Sequence, residues 1–174
     1  FYGGLAASAK TVGTALTPEV LLAFSKIMVL LAGIIPMFLA KQLKNLSTKN
    51  ILIHFLRSLC ATSALYLYFL ALTNMMLVDV VVIFNTIPFF VPIISYFVIG
   101  ERLNARGWCG ILIAFLGVVI ISQPGSSMFS IYALLVVLAA FLMATAEVLN
   151  KKLSLSEPVS KIVFYFISFS AIIA

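Results

Sequence analysis

Residues 57–125 read RSLCATSALYLYFLALTNMMLVDVVVIFNTIPFFVPIISYFVIGERLNARGWCGILIAFLGVVIISQPG. The block contains three apolar stretches, separated only by the short segments 72–76 and 100–106. The hydrocarbon core of a bilayer is about 30 Å thick, and roughly 20 apolar residues of helix cross it. Each stretch is long enough to cross, and the stretches largely lack the polar face that a helix in a soluble domain carries. The block therefore predicts membrane-spanning helices.

The composition of the whole chain agrees with this prediction. The chain is 64% hydrophobic and only 9% charged, whereas soluble domains contain about 25% charged residues. The mean hydropathy of +1.24 leaves too little polar surface to solvate a water-facing globule. The net charge of +6 is spread among short loops, which is typical of membrane orientation and not of a nucleic-acid-binding face. We expect a bilayer environment and no nucleic-acid partner.

Seven apolar segments follow one another along the chain, and both ends of the sequence read as cut from a longer membrane protein. Three connections between segments carry basic residues, and the alternate connections carry no Lys or Arg. This asymmetry places the basic connections in the cytoplasm. The segments are 1–16, 19–40, 51–73, 76–99, 106–122, 129–149 and 158–174, and the basic residues are Lys41, Lys44, Lys49, Arg102, Arg106, Lys151, Lys152 and Lys161.

Glycine and proline residues inside two of the segments indicate how those helices pack and bend. Gly107, Gly110 and Gly117 predict close approach of another helix to the fifth segment. Pro88 and Pro92 remove backbone donors from the middle of the fourth segment. They indicate either a kinked helix or carbonyls that line a water-filled pathway.

Short stretches of the sequence recur. Residues 5–10 resemble residues 142–147, and Ser-Lys-Ile at 25–27 recurs at 160–162. The sequence separation between the two copies is nearly the same for both matches and differs by only two residues. Five segments separate the copies. An odd number of segments inverts the second copy in the membrane, and inverted repeats are typical of secondary transporters.

The motifs of the central block resemble those of the drug/metabolite transporter superfamily, in particular its EamA-type members. An Arg opens the third segment, a Tyr-x-x-Ala-Leu run closes it, a Pro marks the fourth segment and Gly-Glu ends it, and a glycine-spaced fifth segment follows. The residues concerned are Arg57, Tyr66–Leu72, Val78–Val80, Thr86–Pro88, Gly100–Arg102, Gly110–Ile121 and Gln123–Gly125. The match is dense across 57–125 and weaker elsewhere, and Lys26 stands where many members have Arg.

The resemblance implies an all-α polytopic fold of ten helices in two inverted five-helix repeats around a central cavity. About seven of those helices would lie in this chain. Residues 1–125 would form the first repeat, clipped at its start, and residues 126–174 the truncated start of the second.

Charged residues inside the segments are candidates for function, because a charge within a bilayer costs a few kcal/mol even on lenient scales. Helical rise places Lys10, Lys26 and Asp79 toward the outer side of the membrane, and Arg57 and Glu147 toward the inner side. We therefore expect Asp79 to pair with Lys10 or Lys26, and Glu147 to pair with Arg57. Static ion pairs and snorkelling to the interface are the structural alternatives.

Polar side chains extend this set. Ser58, Thr62 and Tyr66 recur every four residues on one face of the third segment, and Asp79 and Thr86 share a stripe on the fourth, next to Asn85. Hydrogen bonding between helices would explain the hydroxyl groups equally well. The substrate-pathway candidates are Lys10, Arg57, Ser58, Thr62, Tyr66, Asp79, Asn85, Thr86 and Glu147.

No catalytic pattern accompanies these residues. His54 is the sole histidine, and its position beside Arg57 near a helix end is typical of an interfacial residue. The sequence has no cluster of metal ligands and no phosphate-binding Gly-x-x-x-x-Gly-Lys loop. The Gly-Glu-Arg at 100–102 predicts a helix end in which glycine adopts the capping conformation, so Glu101 is not a candidate.

The sequence thus predicts a secondary transporter that moves a small polar metabolite or drug by alternating access, coupled to protons or to exchange. It is expected to be a multi-pass protein of the plasma (inner) membrane, with no enzymatic activity, cofactor or bound metal. The sequence is compatible with a homodimer and does not determine the oligomeric state. The alternatives are a non-transporting scaffold subunit whose buried ion pairs are structural, and an integral membrane enzyme with catalytic residues beyond this sequence.

Overall fold

The computed structural model describes residues 48–122 and 130–173, and all regular structure in these two ranges is helical. Their six helices are labelled in chain order. They are α1 (Ile51–Asn74), α2 (Leu77–Phe84), α3 (Ile87–Val98), α4 (Ala105–Ser122), α5 (Ile131–Ser154) and α6 (Val159–Ile173). The predicted segments 1–16 and 19–40 lie outside the described residues.

Three helical spans in the described part of the chain are long and apolar enough to cross a membrane: Ile51–Asn74, Leu77–Val98 and Ile131–Ser154. Two shorter apolar helices cover Ala105–Ile120 and Val159–Ser170. The predicted third to seventh segments therefore all correspond to helices. The sixth ends five residues later than the sequence indicated, so Lys151 and Lys152 occupy its last turn and not a loop. Lys161 likewise lies inside α6.

The long helix α5 is the centre of the bundle. It packs mainly against α1 and also against α3, α2 and α6. Small side chains allow the close approach of α1 and α5, because Ala64 and Ala71 on α1 and Ala139 and Ala140 on α5 are completely buried. Aromatic rings fill the space beside them, and the rings of Tyr68 and Phe84 lie 4.6 Å apart between their centroids.

Helix α4 lies at the edge of the described bundle, against α2. The Phe89 and Phe115 rings also meet edge to face, 5.2 Å apart. A Cβ atom added at Gly110 or Gly117 would have nothing within 4 Å, and at Gly107 it would meet Leu103. The close helix approach predicted at these glycines is therefore not seen within the described ranges.

The basic connections of the described chain come together at one end of the bundle, which we call the basic end. It is formed by residues 48–50 before α1, residues 99–104 after α3 and residues 155–158 after α5. Lys151 forms an ion pair with Glu101, and the Lys152 ammonium donates to the Val98 carbonyl at 3.3 Å. Gly100 has φ of +84°, and its N–H bonds the Ser95 carbonyl at 3.0 Å, which confirms the glycine cap predicted from the sequence.

Candidate functional site

The carboxylate of Glu157 organises the basic end. Its Oε1 accepts hydrogen bonds from the Thr48 hydroxyl and from the Asn50 amide at 3.1 Å, and its Oε2 lies 2.8 Å from His54 Nε2. The Asn50 amide also reaches the Ser156 hydroxyl at 3.5 Å. The start of α1 is thereby fastened to the loop between α5 and α6, about 105 residues away in sequence.

His54 lies in the first turn of α1 and is completely buried. Its imidazole stacks on the Tyr165 ring of α6, with centroids 4.7 Å apart and planes inclined by 28°. The second ring nitrogen, Nδ1, is buried and has no hydrogen-bond partner among the described residues. His54 is therefore not the interfacial residue that the sequence indicated, because the loop carrying Glu157 folds back over it.

The hydrogen bonds to Glu157 change its acidity. Burial raises the pKa of the Glu157 carboxyl and is the largest single influence. Hydrogen bonds from Thr48, His54 and Asn50, together with the charge of His54, act in the opposite direction and jointly outweigh burial. The pKa of Glu157 is thus lowered from its ordinary value of 4.5, so the carboxyl is ionised near neutral pH and can only accept hydrogen bonds.

This lowered pKa predicts an acid-sensitive contribution to stability. A carboxyl whose pKa is lower in the folded state stabilises the fold above its unfolded pKa, and that contribution is lost as the pH falls through the folded value. We expect the melting temperature of the wild type to decrease when the pH is lowered below about 4.5. In the Glu157→Gln variant, the part of this decrease that comes from protonation of Glu157 should be missing. Thermal unfolding in detergent between pH 3 and pH 7 measures both. Identical acid profiles would contradict the prediction.

Three predicted pathway residues on α1 do share one face, but they meet different surroundings. Ser58 is buried and its hydroxyl donates to the His54 carbonyl at 2.9 Å, within the helix. Thr62 is buried too, and its hydroxyl lies 3.4 Å from that of Ser170 on α6. Tyr66 is 38% exposed in the described part of the chain. The hydroxyls of Ser58 and Thr62 therefore serve helix packing here, and of the three residues only Tyr66 is exposed.

Arg57 and Glu147 do not meet as expected. The Arg57 guanidinium lies over the Phe166 ring, 4.5 Å from its centroid, and donates to the Ile162 carbonyl at 3.4 Å. Glu147 is exposed on α5, and no ion pair joins the two side chains within the described residues. Both residues lie in the half of their helix that is nearer the basic end, but their side chains face different surroundings, and their predicted depth in the membrane stays a prediction.

The second apolar span is interrupted near its middle. Helix α2 ends at Phe84 and α3 begins at Ile87. The N–H of Thr86 bonds the Ile83 carbonyl at 3.0 Å in place of the carbonyl four residues back, and Pro88 has no N–H to donate. The Asn85 amide donates to the Val81 carbonyl at 2.8 Å, and the Thr86 hydroxyl donates to the Ile83 carbonyl at 2.7 Å. Two polar residues thus cover a helix break at mid-span.

Asp79 is completely buried in the first turn of α2. A carboxylate there is favourably placed with respect to the dipole of that helix. Its predicted partners Lys10 and Lys26 lie outside the described residues, so the expected outer pairs stay predictions. Among the described residues there is no group of three or more metal-ligating side chains.

Sequence reasoning missed the pairing of His54 with Glu157. A usable signal was present, because residues 41–50 and 150–157 were both assigned to cytoplasmic connections. His54 lies just after the first of these connections and Glu157 lies within the second, so the assignment puts both residues at the same end of the bundle. Glu157 was overlooked because a loop carboxylate is ordinarily solvated.

Apolar membrane-length helices packed into one bundle, with basic residues gathered at one end, define a polytopic helical membrane protein. The chain belongs to the EamA-like transporter family, whose model matches residues 1–123. The members of this family and the relatives named below are transporters, not enzymes. No solved structure matches the chain.

Three curated relatives indicate the range of the family. The pseudopaline exporter CntI of Pseudomonas aeruginosa is 35% identical over 64% of this chain and 40% of its own length. The riboflavin transporter of Brucella anthropi is 28% identical over 86% of this chain and 53% of its own length. The S-adenosylmethionine uptake transporter of Rickettsia prowazekii is 27% identical over 69% of this chain and 41% of its own length. The chain thus spans about half of the length of the relatives it matches.

Proposed function

We propose that the protein is a secondary transporter that carries a small polar metabolite or drug across the plasma (inner) membrane by alternating access. Family membership supports the class of activity. The observation that carries the proposal is the break at Asn85–Thr86 in the middle of the span Leu77–Val98. Backbone groups released in a bilayer are tolerated where protein buries them or where they line a water-filled cavity. Discontinuous helices at mid-membrane form the substrate sites of many carriers.

The proposed pathway runs past this break. Asn85 is exposed in the described bundle and Thr86 is half-buried, so both can offer polar groups near the middle of the membrane. Tyr66 on α1 and Glu147 on α5 add open polar side chains, and Asp79 and Arg57 supply charges within the spans. In the proposed architecture, residues 1–125 form a first repeat of five helices and residues 126–174 begin an inverted second repeat. The basic end would face the cytoplasm.

Two modes of energy coupling fit this proposal. Asp79 and Glu147 are protonatable, so either could carry a proton along with the substrate. Exchange against a second substrate on the opposite side requires no proton. Reconstituted flux separates the two modes, because only the first depends on a pH gradient.

The test is transport by the full-length protein in proteoliposomes, using labelled riboflavin, S-adenosylmethionine and a panel of amino acids and sugars, with and without a pH gradient. We expect flux of at least one probe, and we expect Asp79→Asn and Glu147→Gln to lower it to the level of empty liposomes. Glu101→Gln is the matched control, because Glu101 is an acidic residue exposed at the basic end. No flux of any probe by folded protein would overturn the proposal in favour of a scaffold role.

A further inference from the structure

Two opposite charges within the described helices are not paired with a charge there. The Arg57 guanidinium carries five N–H donors, and within the described residues it makes one hydrogen bond, to the Ile162 carbonyl at 3.4 Å. Glu147 is exposed and makes neither an ion pair nor a hydrogen bond in the same ranges. A charge inside a membrane span is costly unless it is paired or has a function. Both residues therefore need an explanation beyond helix packing.

Arg57 and Glu147 occupy equivalent positions on the two helices that pack most closely. On each helix, two buried alanines lie one and two heptads from the charge, toward the end opposite the basic end. They are Ala64 and Ala71 on α1, and Ala140 and Ala133 on α5. Residues seven apart lie on nearly the same side of a helix, and all four alanines belong to one buried cluster. Because α1 begins at the basic end and α5 ends there, the two rows of alanines lead to Arg57 and Glu147 at one level of the bundle.

Glu147 is exposed although the row of alanines that leads to it is buried. The two residues beside it, Ala146 and Val148, are buried as well, so this part of α5 has not left the bundle. Helix α2 packs against both α1 and α5, whereas α3, which follows the break at Asn85–Thr86, packs against α5 with little contact to α1. This divergence leaves room between α1 and α3 in the half of the bundle that contains Glu147.

The Arg57 side chain is held in a form that suits a carboxylate. The Phe166 ring covers one face of its guanidinium, 4.5 Å from the ring centroid. The N–H donors lie at the edge of the guanidinium plane, and their fork matches the two oxygens of a carboxylate. The Ile162 carbonyl takes one donor, and the others have no acceptor among the described residues. A carbonyl and a ring do not neutralise the charge, whereas a carboxylate does.

We propose that Arg57 and Glu147 bind the two ends of a zwitterionic substrate, an α-amino acid or a molecule that contains one. The substrate carboxylate accepts hydrogen bonds from Arg57, and the substrate ammonium donates to Glu147. A ligand with a single charge leaves one of the two residues unpaired, whereas a zwitterion neutralises both. That this ligand is transported rests on the proposed function, whereas its binding does not.

Binding is measured first, with the full-length protein in detergent micelles. Each common L-amino acid is tested for a rise in melting temperature, because a ligand that binds the folded state stabilises it. We expect at least one amino acid to do so. Its affinity is then compared with those of the corresponding amine and the corresponding deaminated acid, by competition against the tritiated amino acid. Loss of either charged group should weaken binding roughly tenfold to a hundredfold. If no amino acid stabilised the protein, or if the three ligands bound equally, the proposal would be overturned.

Variants assign each group of the ligand to its residue. Arg57→Gln should weaken binding of the amino acid by a similar factor without weakening that of the amine, which has no carboxylate. Glu147→Gln should weaken binding of the amino acid without weakening that of the deaminated acid. Arg57→Lys keeps the charge but lacks the fork, so it should show a smaller loss with the same selectivity, and it replaces Arg57→Gln if that variant does not fold. Equal losses for all three ligands would indicate an effect on the fold alone and contradict the proposal.

Arg102→Gln and Glu101→Gln are the matched controls. The Arg102 guanidinium also lies over an aromatic ring, that of Tyr96, 5.1 Å from its centroid, and Glu101 is an exposed carboxylate. Both residues belong to the connection after α3 and not to the level of Arg57 and Glu147. Neither substitution should change the affinity for any of the three ligands.

Flux in proteoliposomes separates this proposal from the proposed function. Uptake of the amino acid that binds would support both. Binding of an amino acid without flux of any probe would support the zwitterion site and contradict the transporter function. Flux of riboflavin or of a sugar, with no amino acid bound, would support the transporter function and overturn the zwitterion site.

Discussion

Replacement of Glu157 by alanine is expected to destabilise the protein by about 2–4 kcal/mol. The substitution removes the acceptor for His54, Thr48 and Asn50 at once. A buried donor left without a partner costs about 1–3 kcal/mol. His54 is completely buried and accounts for most of the loss, whereas Thr48 and Asn50 are only half-buried and can recruit water. Reversible unfolding in mixed detergent micelles measures the free energy of unfolding.

Glu101→Ala provides the control for this prediction. Glu101 forms an ion pair with Lys151 at the same end of the bundle, but the two side chains are 50% and 52% exposed. Exposed pairs contribute about 0–1 kcal/mol, so the control should change stability little. Equal losses in the two variants would mean that Glu157 acts only as one more surface charge. A loss confined to Glu157→Ala would identify burial of its hydrogen-bond partners as the cause.

The helical spans could be predicted closely because apolar length is a property of the sequence alone. Helices α1 and α4 begin and end within one residue of the predicted segments. Helix α5 extends to Ser154 because Lys151 and Lys152 suit the last turn of a helix and their long side chains reach water from there. The apolar pattern ends before the first charged residue, whereas the helix itself continues through Lys151 and Lys152.

The break in the second span was only partly foreseen. Pro88 indicated a kink, and the structure interrupts the helix at Asn85 and Thr86, just before it. The missing N–H of a proline affects the carbonyl of the preceding turn, so the disturbance lies on the N-terminal side of the ring. The sequence identifies the proline, whereas the position of the break also involves the local side-chain bonds that Asn85 and Thr86 make to the Val81 and Ile83 carbonyls.

Pairing of charges could not be predicted because depth fixes only one of the two coordinates that matter. Arg57 and Glu147 were placed in one layer, but a contact also requires that their helices turn the two side chains toward each other. In the structure Arg57 lies over Phe166 on α6 and Glu147 is exposed on α5. Loops add a further difficulty, since the chain around Glu157 folds back over His54 in a way that no periodicity encodes.

Replacement of Ala140 by leucine is expected to destabilise the bundle by about 1–3 kcal/mol, the usual cost of overpacking a close-packed interior. Ala140 is completely buried in the cluster that α1 and α5 share. A bilayer gives no compensating gain, because lipid tails solvate a leucine in the separated helices as well as the protein interior does. The helices must therefore move apart or strain their side chains. The free energy of unfolding in mixed micelles measures the loss.

Leu138→Ala is the matched control, because Leu138 is 47% exposed on the same helix. Removing a side chain that contacts mainly lipid should change stability by less than about 0.5 kcal/mol. If Ala140→Leu changed stability as little as Leu138→Ala, the contact between α1 and α5 would be loose. The small residues could then not be what holds the two helices together. A selective loss at Ala140 would mean that the small buried residues of α1 and α5 hold these two helices in close contact.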